Sequence, residues 1–301
     1  MLFCPFCNSP LTIVDGRYIC IRDGHTFHER EGIVQLSTTL ADQQQYYPDD
    51  AFEILYRSEE ENFWFVVRNR IIRMIISRYL SVQSRILEVG CGTGYVSQYL
   101  KKNGFHVECA DLFFKALYFC KKRDSGFVYY QYNLADGIFS EEFDGICAFD
   151  VLEHIEDDSR ILRNMYEALR PGGFIFITVP ADMRLWSAMD VYAEHKRRYS
   201  PEDLRKKLED NRFKVIKMTY FMTLLLPVLS LSRKRQSQRG PVEAKRGGEA
   251  AKKEALRELH LNPVLNLVFL LIFSLEVPLL RFLDLPAGSS LLCVAMKEKT
   301  P

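Results

Sequence analysis

The sequence predicts an α/β chain: a doubly wound, seven-stranded sheet, preceded by a small cysteine-rich module and broken before its last strand by a helical insertion. Three observations predict it. Short β-branched and aliphatic runs alternate with helical apolar periodicities across residues 85–221, the pattern of parallel strands joined by crossover helices. The first run, R-I-L-E-V over 85–89, turns through Gly90, Gly92 and Gly94 into a helix with Val96, Tyr99 and Leu100 on its apolar face. The 301 residues are 48% hydrophobic with a net charge of +1. That suits one large domain or two smaller ones, and excludes a disordered chain or a nucleic-acid binder acting through global charge.

Residues 1–36 read as a zinc ribbon. Cys4-x2-Cys7 is followed, after a hairpin with an Asp15-Gly16 turn, by Cys20 and His25. Three thiolates and an imidazole at this spacing suit tetrahedral Zn2+, and four protein ligands make the site structural. His28 is a rival fourth ligand; Cys20-x4-His25 closes the knuckle more tightly. So short a piece buries little core, and roughly 10–16 kcal/mol of zinc binding could supply its folding free energy. Eight scattered cysteines and a start without a secretory signal indicate a reducing, cytoplasmic setting.

Residues 37–84 read as a polar linker and a lid helix. In E-E-N-F-W-F-V-V-R-N-R-I-I-R-M-I-I-S-R-Y-L, Trp64, Val67, Ile71, Met74 and Ile75 recur at helical spacing. Phe63 and Trp64, just before it, could cover a ligand.

In the core, 85–221, a carboxylate ends the first strand (Glu88), and Tyr95 stands where a dinucleotide fingerprint places its third glycine. The resulting E-x-G-x-G-x-G resembles motif I of class I S-adenosylmethionine (SAM) methyltransferases, with a Rossmann-like sheet. A second strand over 106–110 ends in Asp111, placed to grip both ribose hydroxyls of an adenosyl cofactor or to cap the next helix. After the third strand (126–132) the resemblance implies an adenine contact from Asn133, where the family has Asp, and from the Leu134 N–H. The fourth strand (143–149) ends in D-V-L-E-H. Asp150, on the cofactor side, Glu153 and His154 then lie at the ligand-binding edge of the sheet. Three readings stay open: a cofactor-side or helix-capping role, His154 as general base, or a divalent cation held by all three. The segment resembles the D/E-x-x-E-H of quinone O-methyltransferases. A helix (159–169), L-R-P-G-G and a fifth strand (174–179) follow. The loop after it gathers Trp186, Asp190, His195, Arg198 and Tyr199, groups suited to holding substrate, with His195 a second candidate base. It resembles the D…H-K-R-R-Y loop of the ubiquinone-biosynthesis type. Ser200 and Pro201 start a helix, and 213–220 is the sixth strand.

The seventh strand is expected only at 289–296, within a final segment 287–301. The insertion at 222–286 carries two apolar stretches, 221–231 and 264–283. Between them residues 233–258 hold nine Lys/Arg against four Asp/Glu. Asn266, Glu276, Pro278 and Arg281 argue against a clean membrane span. The expected partner is a membrane surface on the cytoplasmic side, met through 221–283, or else the insertion is an accessory lid.

The resemblance implies SAM-dependent methyl transfer, and the insertion with the loop from Trp186 to Tyr199 points to a small, lipophilic or lipid-linked acceptor, methylated at oxygen. The C-P-F-C, C…H and E-G-I-V-Q-L pattern also resembles the zinc module of large-subunit rRNA guanine methyltransferases, making RNA the competing substrate. A third possibility is a non-catalytic adaptor on the same fold.

Overall fold

The computed structural model describes residues 4, 6, 7, 9–15, 17–36, 50–227 and 261–299. In the N-terminal module β1 (Leu11–Val14), β2 (Arg17–Cys20), β3 (Thr26–Arg30) and β4 (Ile33–Gln35) form an antiparallel meander. The core strands are β5 (Arg85–Val89), β6 (His106–Asp111), β7 (Tyr129–Gln131), β8 (Phe143–Phe149), β9 (Leu169–Pro180), β10 (Phe213–Phe221) and β11 (Ser290–Lys297).

The sheet has eleven strands among the described residues, in the order β1-β2-β3-β4-β7-β6-β5-β8-β9-β11-β10, and the expectation of seven is corrected. The seven core strands are contiguous in it. The extra four join because β4 pairs parallel to β7, Val34 opposite Tyr130 and Gln35 opposite Gln131. Burying Ile33 and Val34 there covers an edge that β7 would otherwise expose. β11 returns from the insertion and lies antiparallel between β9 and β10.

Helices cover both faces: α1 (Ala51–Ser58), α2 (Phe63–Ile76), α3 (Tyr95–Lys102), α4 (Phe114–Arg123), α5 (Asp158–Ala168), α6 (Ala188–Tyr192) and α7 (Pro201–Asp210). Asn62 caps α2 by accepting from the Trp64 N–H, and the helix buries Ile71, Ile72, Ile75 and Ile76. Each such side chain contributes about 1.5–3 kcal/mol. In the insertion, α8 (Pro263–Ser274) and α9 (Glu276–Leu280) pack on α2. Phe63 meets Phe273 and Phe269 at ring distances of 5.2 and 5.1 Å, so it packs against the insertion. The basic segment 233–258 lies outside the described residues.

Candidate functional site

The carboxyl ends of β5, β6 and β8 open on one crevice. At its floor Gly90, Gly92 and Gly94 hold φ of 64°, 54° and 75°, a region that L side chains disfavour. The three glycines differ in why they are needed. A Cβ on Gly90 would come within 2.5 Å of Val151, and one on Gly94 would collide with Cys120, so these two permit close packing. A Cβ on Gly92 would meet nothing within 4 Å. Its bare backbone borders open space, where a ligand can approach.

Asp111 fastens this turn. Its Oδ2 accepts from the Gly92 N–H and its Oδ1 from the Phe113 N–H, both at 2.9 Å. Burial pushes its pKa up to about 6 despite those bonds. Glu88 accepts a hydrogen bond from the Ser97 hydroxyl, and burial, with Cys109 adding to it, pushes its pKa up to about 8. Two carboxylates are thus held buried around one glycine turn. That is costly for structure alone, and it fits a ligand bringing hydroxyl donors and a cationic amine.

Beyond β8, Asp150 has a φ of 57°, pairs with Arg68 at 2.9 Å and accepts from Thr178 at 3.3 Å. Glu153 is fully buried, and neither carboxylate oxygen has a hydrogen-bond partner. Burial, then Asp150, push its pKa well up. Burial, then His195, push His154 down to about 3, leaving it neutral. The His154 and His195 rings meet edge to face at 4.7 Å.

Asp190 organises the neighbouring loop. It completes a capping box with Ser187 at the start of α6. Its Oδ1 lies 2.9 Å from His195 Nδ1, and Arg198 donates to both oxygens at 2.8 Å. Burial pushes the Asp190 pKa up, but the bonds from His195 and Arg198 outweigh it and keep the carboxylate ionised. With Nδ1–H bonded to Asp190, the lone pair is left on Nε2, which lies 3.9 Å from Glu153 Oε1.

Several expected residues take other places. Tyr199 is no wall of the crevice: it is buried, its hydroxyl donating to Asp158 at 2.8 Å, because the Y-S-P segment turns inward to start α7. Asp190 and Arg198 are enclosed by each other and by His195, so they position that ring instead of lining open space. Trp186 follows a 3-10 turn over Met183–Leu185 and is half-buried. Asn133 accepts from the Ala135 N–H, and the Leu134 carbonyl accepts from Asn164. The groups that converge as potential metal ligands are Glu153, His154 and His195; Asp150 is drawn off by Arg68.

In the N-terminal module Cys4, Cys7 and Cys20 converge with Asp23, all four ligand atoms within 4.8 Å of one another. The expected His25 lies one step outside. Its Nδ1 bonds Asp23 at 2.8 Å and its ring packs on Phe6 at 4.4 Å, because the tight turn after Cys20 brings Asp23 to the thiols first. Three thiolates and a carboxylate still fit tetrahedral zinc.

The reading from sequence missed α1. Glu59, just after it, accepts from the Thr93 hydroxyl of the glycine turn and pairs with Arg123 at 2.8 Å. Phe52, Leu55 and Tyr56, spaced i, i+3, i+4, were the available signal.

Residues 56–218, a little over half of the chain, match the family described as methyltransferase domain. A ubiquinone biosynthesis O-methyltransferase of Xylella fastidiosa is 30% identical over 135 residues, 42% of this chain and 55% of that protein. The chain thus spans about half the length of the curated relatives it matches. Among solved structures, Haemonchus contortus phosphoethanolamine N-methyltransferase 2 in complex with S-adenosyl-L-methionine superposes with a TM-score of 0.55 at 18% identity, covering 86% of this chain and 59% of that one. A SAM-dependent methyltransferase from Archaeoglobus fulgidus gives 0.52 at 20% identity, covering 82% and 100%. At these identities the structural likeness establishes the fold.

Proposed function

The chain belongs to the methyltransferase domain family, and from that premise we propose that it transfers the methyl group of SAM to a small, lipophilic or lipid-linked acceptor, most simply at oxygen. The observation that carries this reading is the glycine turn framed by buried Glu88 and Asp111, with the Asp190–His195 pair beyond the next strand. Bound SAM supplies a methyl group on a sulfonium, whose departure needs no acid. Asp111 would exchange its bonds to the turn for the ribose hydroxyls, and Gly92 would lie against the cofactor. Glu88 would meet the amino-acid end, whose ammonium favours the ionised carboxylate. Asn133 and Leu134 flank the adenine position implied by the resemblance. His195, its Nδ1–H held by Asp190, presents Nε2 to take the proton that an acceptor hydroxyl must lose.

The lipophilic acceptor draws support from the ubiquinone relatives and from the apolar α8 and α9 beside α2. The ribbon argues against RNA, since over residues 4–30 Arg17, Arg22 and Arg30 are balanced by Asp15, Asp23 and Glu29. Its zinc would be structural, and the setting cytoplasmic. The unpartnered Glu153 beside His154 and His195 favours a second role for that cluster, a divalent cation that would orient the acceptor; a chelator that abolishes transfer without changing SAM affinity would establish it.

To test the proposal, the full chain is incubated with methyl-labelled SAM and either a lipid extract or total RNA. Label in an organic-soluble small molecule, lost in His195→Gln, is expected. Label in RNA would overturn the acceptor class, and no label in either would support the adaptor reading.

A further inference from the structure

Pro263–Leu280 is an 18-residue run of mean hydropathy 2.1, and only 17% of it is buried within the protein. By length and composition it could cross a membrane. The contacts of its inner face show why it does not stand free to do so. Asn266 accepts from the Phe63 N–H and donates to the Glu61 carbonyl, both at 2.8 Å, tying the start of α8 to the start of α2. Arg70 donates to Ser274 at 2.7 Å, and buried Glu276 accepts from the Met222 N–H at 2.7 Å. Phe269 and Phe273 fill the space between. The helix pair is thus fastened along its length to the catalytic domain.

The outer face is the reverse. Val264 is 71% exposed, Leu271 and Leu275 63% each, and Phe282 80%. No charged side chain interrupts α8. Exposed aliphatic area on this scale marks a contact surface. Charge selects its partner: Arg78 and Arg281 are exposed where α9 ends, and the sequence preceding α8 is net basic, with nine Lys/Arg against four Asp/Glu over 233–258. A second copy would bring like charge against like, whereas an anionic leaflet attracts it.

We propose that α8 and α9 lie in the plane of an anionic bilayer, buried on their outer face only, and dock the methyltransferase domain on the membrane without spanning it. Docking itself does not depend on methyl transfer; its link to the acceptor rests on the reading above. The same α2 that carries the apolar pair also bears Trp64 and Arg68, and Arg68 reaches Asp150 at the crevice.

The test is flotation of the purified full chain with phosphatidylcholine vesicles, plain or containing about 30% phosphatidylglycerol. Binding to the anionic vesicles alone, weakened by salt, and a drop of about a hundredfold in partition for Leu271→Asp/Leu275→Asp support the proposal. The inner-face contacts are untouched in that variant, so unchanged SAM binding shows that it is folded. Equal partition of variant and wild type, no binding to either vesicle, or a salt-insensitive dimer that the double variant dissolves would overturn it. Protein that alkaline carbonate cannot extract would show a span and overturn it equally. Loss of transfer with docking intact would fault the function proposed above and leave this inference standing.

Discussion

Replacing Glu88 by Gln separates what that carboxylate costs the fold from what it gives the ligand. Burial raises the Glu88 pKa from 4.5 to about 8. The folded state therefore keeps a proton that the unfolded chain gives up above its ordinary pKa. Stability is fully present below that ordinary value and declines as pH rises through the window up to the folded pKa. At about 1.4 kcal/mol per unit, the window amounts to roughly 5 kcal/mol. Glutamine keeps the shape and still accepts from Ser97, but it cannot titrate. Urea unfolding of the two proteins should agree to within about 1 kcal/mol near pH 5, and the variant should be more stable by several kcal/mol near pH 8. Asp111 and Glu59 also titrate upward, but they are common to both proteins and cancel in the difference. The stabilised variant should bind SAM more weakly. Parallel curves from pH 5 to about 8 would refute the reasoning, because Glu88 would then be neither desolvated nor costly.

His195→Gln should lower methyl transfer by about 10²–10⁴-fold while leaving SAM affinity within about twofold, checked by steady-state kinetics beside calorimetry. Gly94→Ala, which combines a φ of 75° with a clash at Cys120, should cost more than about 2 kcal/mol in denaturant unfolding. Gly92→Ala meets no such clash and should fall mainly on SAM affinity, so similar effects of the two on ligand binding would contradict the assignment of the crevice. Competition with a metallochromic chelator should show Asp23→Ala losing about 10–100-fold or more in zinc affinity, and His25→Ala losing less, because His25 acts through Asp23.

The core of the fold was legible because local signals agreed. The β-branched and aliphatic runs, the glycine turn and the cap at Ser200 each named one element, and the structure places those elements in sequence around the sheet. What sequence left open depends on contacts between distant segments. Nothing local in E-G-I-V-Q-L says that β4 will pair with β7, nearly a hundred residues away, so the strand count came out at seven. The crowding of charged groups into the 186–199 loop was visible, but not its internal pairing. A buried Asp190 facing both His195 and Arg198 turns candidate substrate contacts into supports for one ring. Tyr199 reads as an aromatic loop residue until Asp158 is brought to its hydroxyl. The sequence weighed His25 against His28, and that Asp23 converges with the three thiols instead depends on a few ångströms of hairpin geometry, below what cysteine spacing resolves.

The central claim, that the crevice between Glu88 and Asp111 holds an adenosyl sulfonium, is tested most directly by titration calorimetry of the full chain with SAM. The account predicts saturable heat at one site per chain and, since hydrogen bonds to a charged group are worth about 1.5–3 kcal/mol each, at least a tenfold loss of affinity in Asp111→Ala. No heat with SAM or its demethylated product, or equal affinity in the variant, would contradict it.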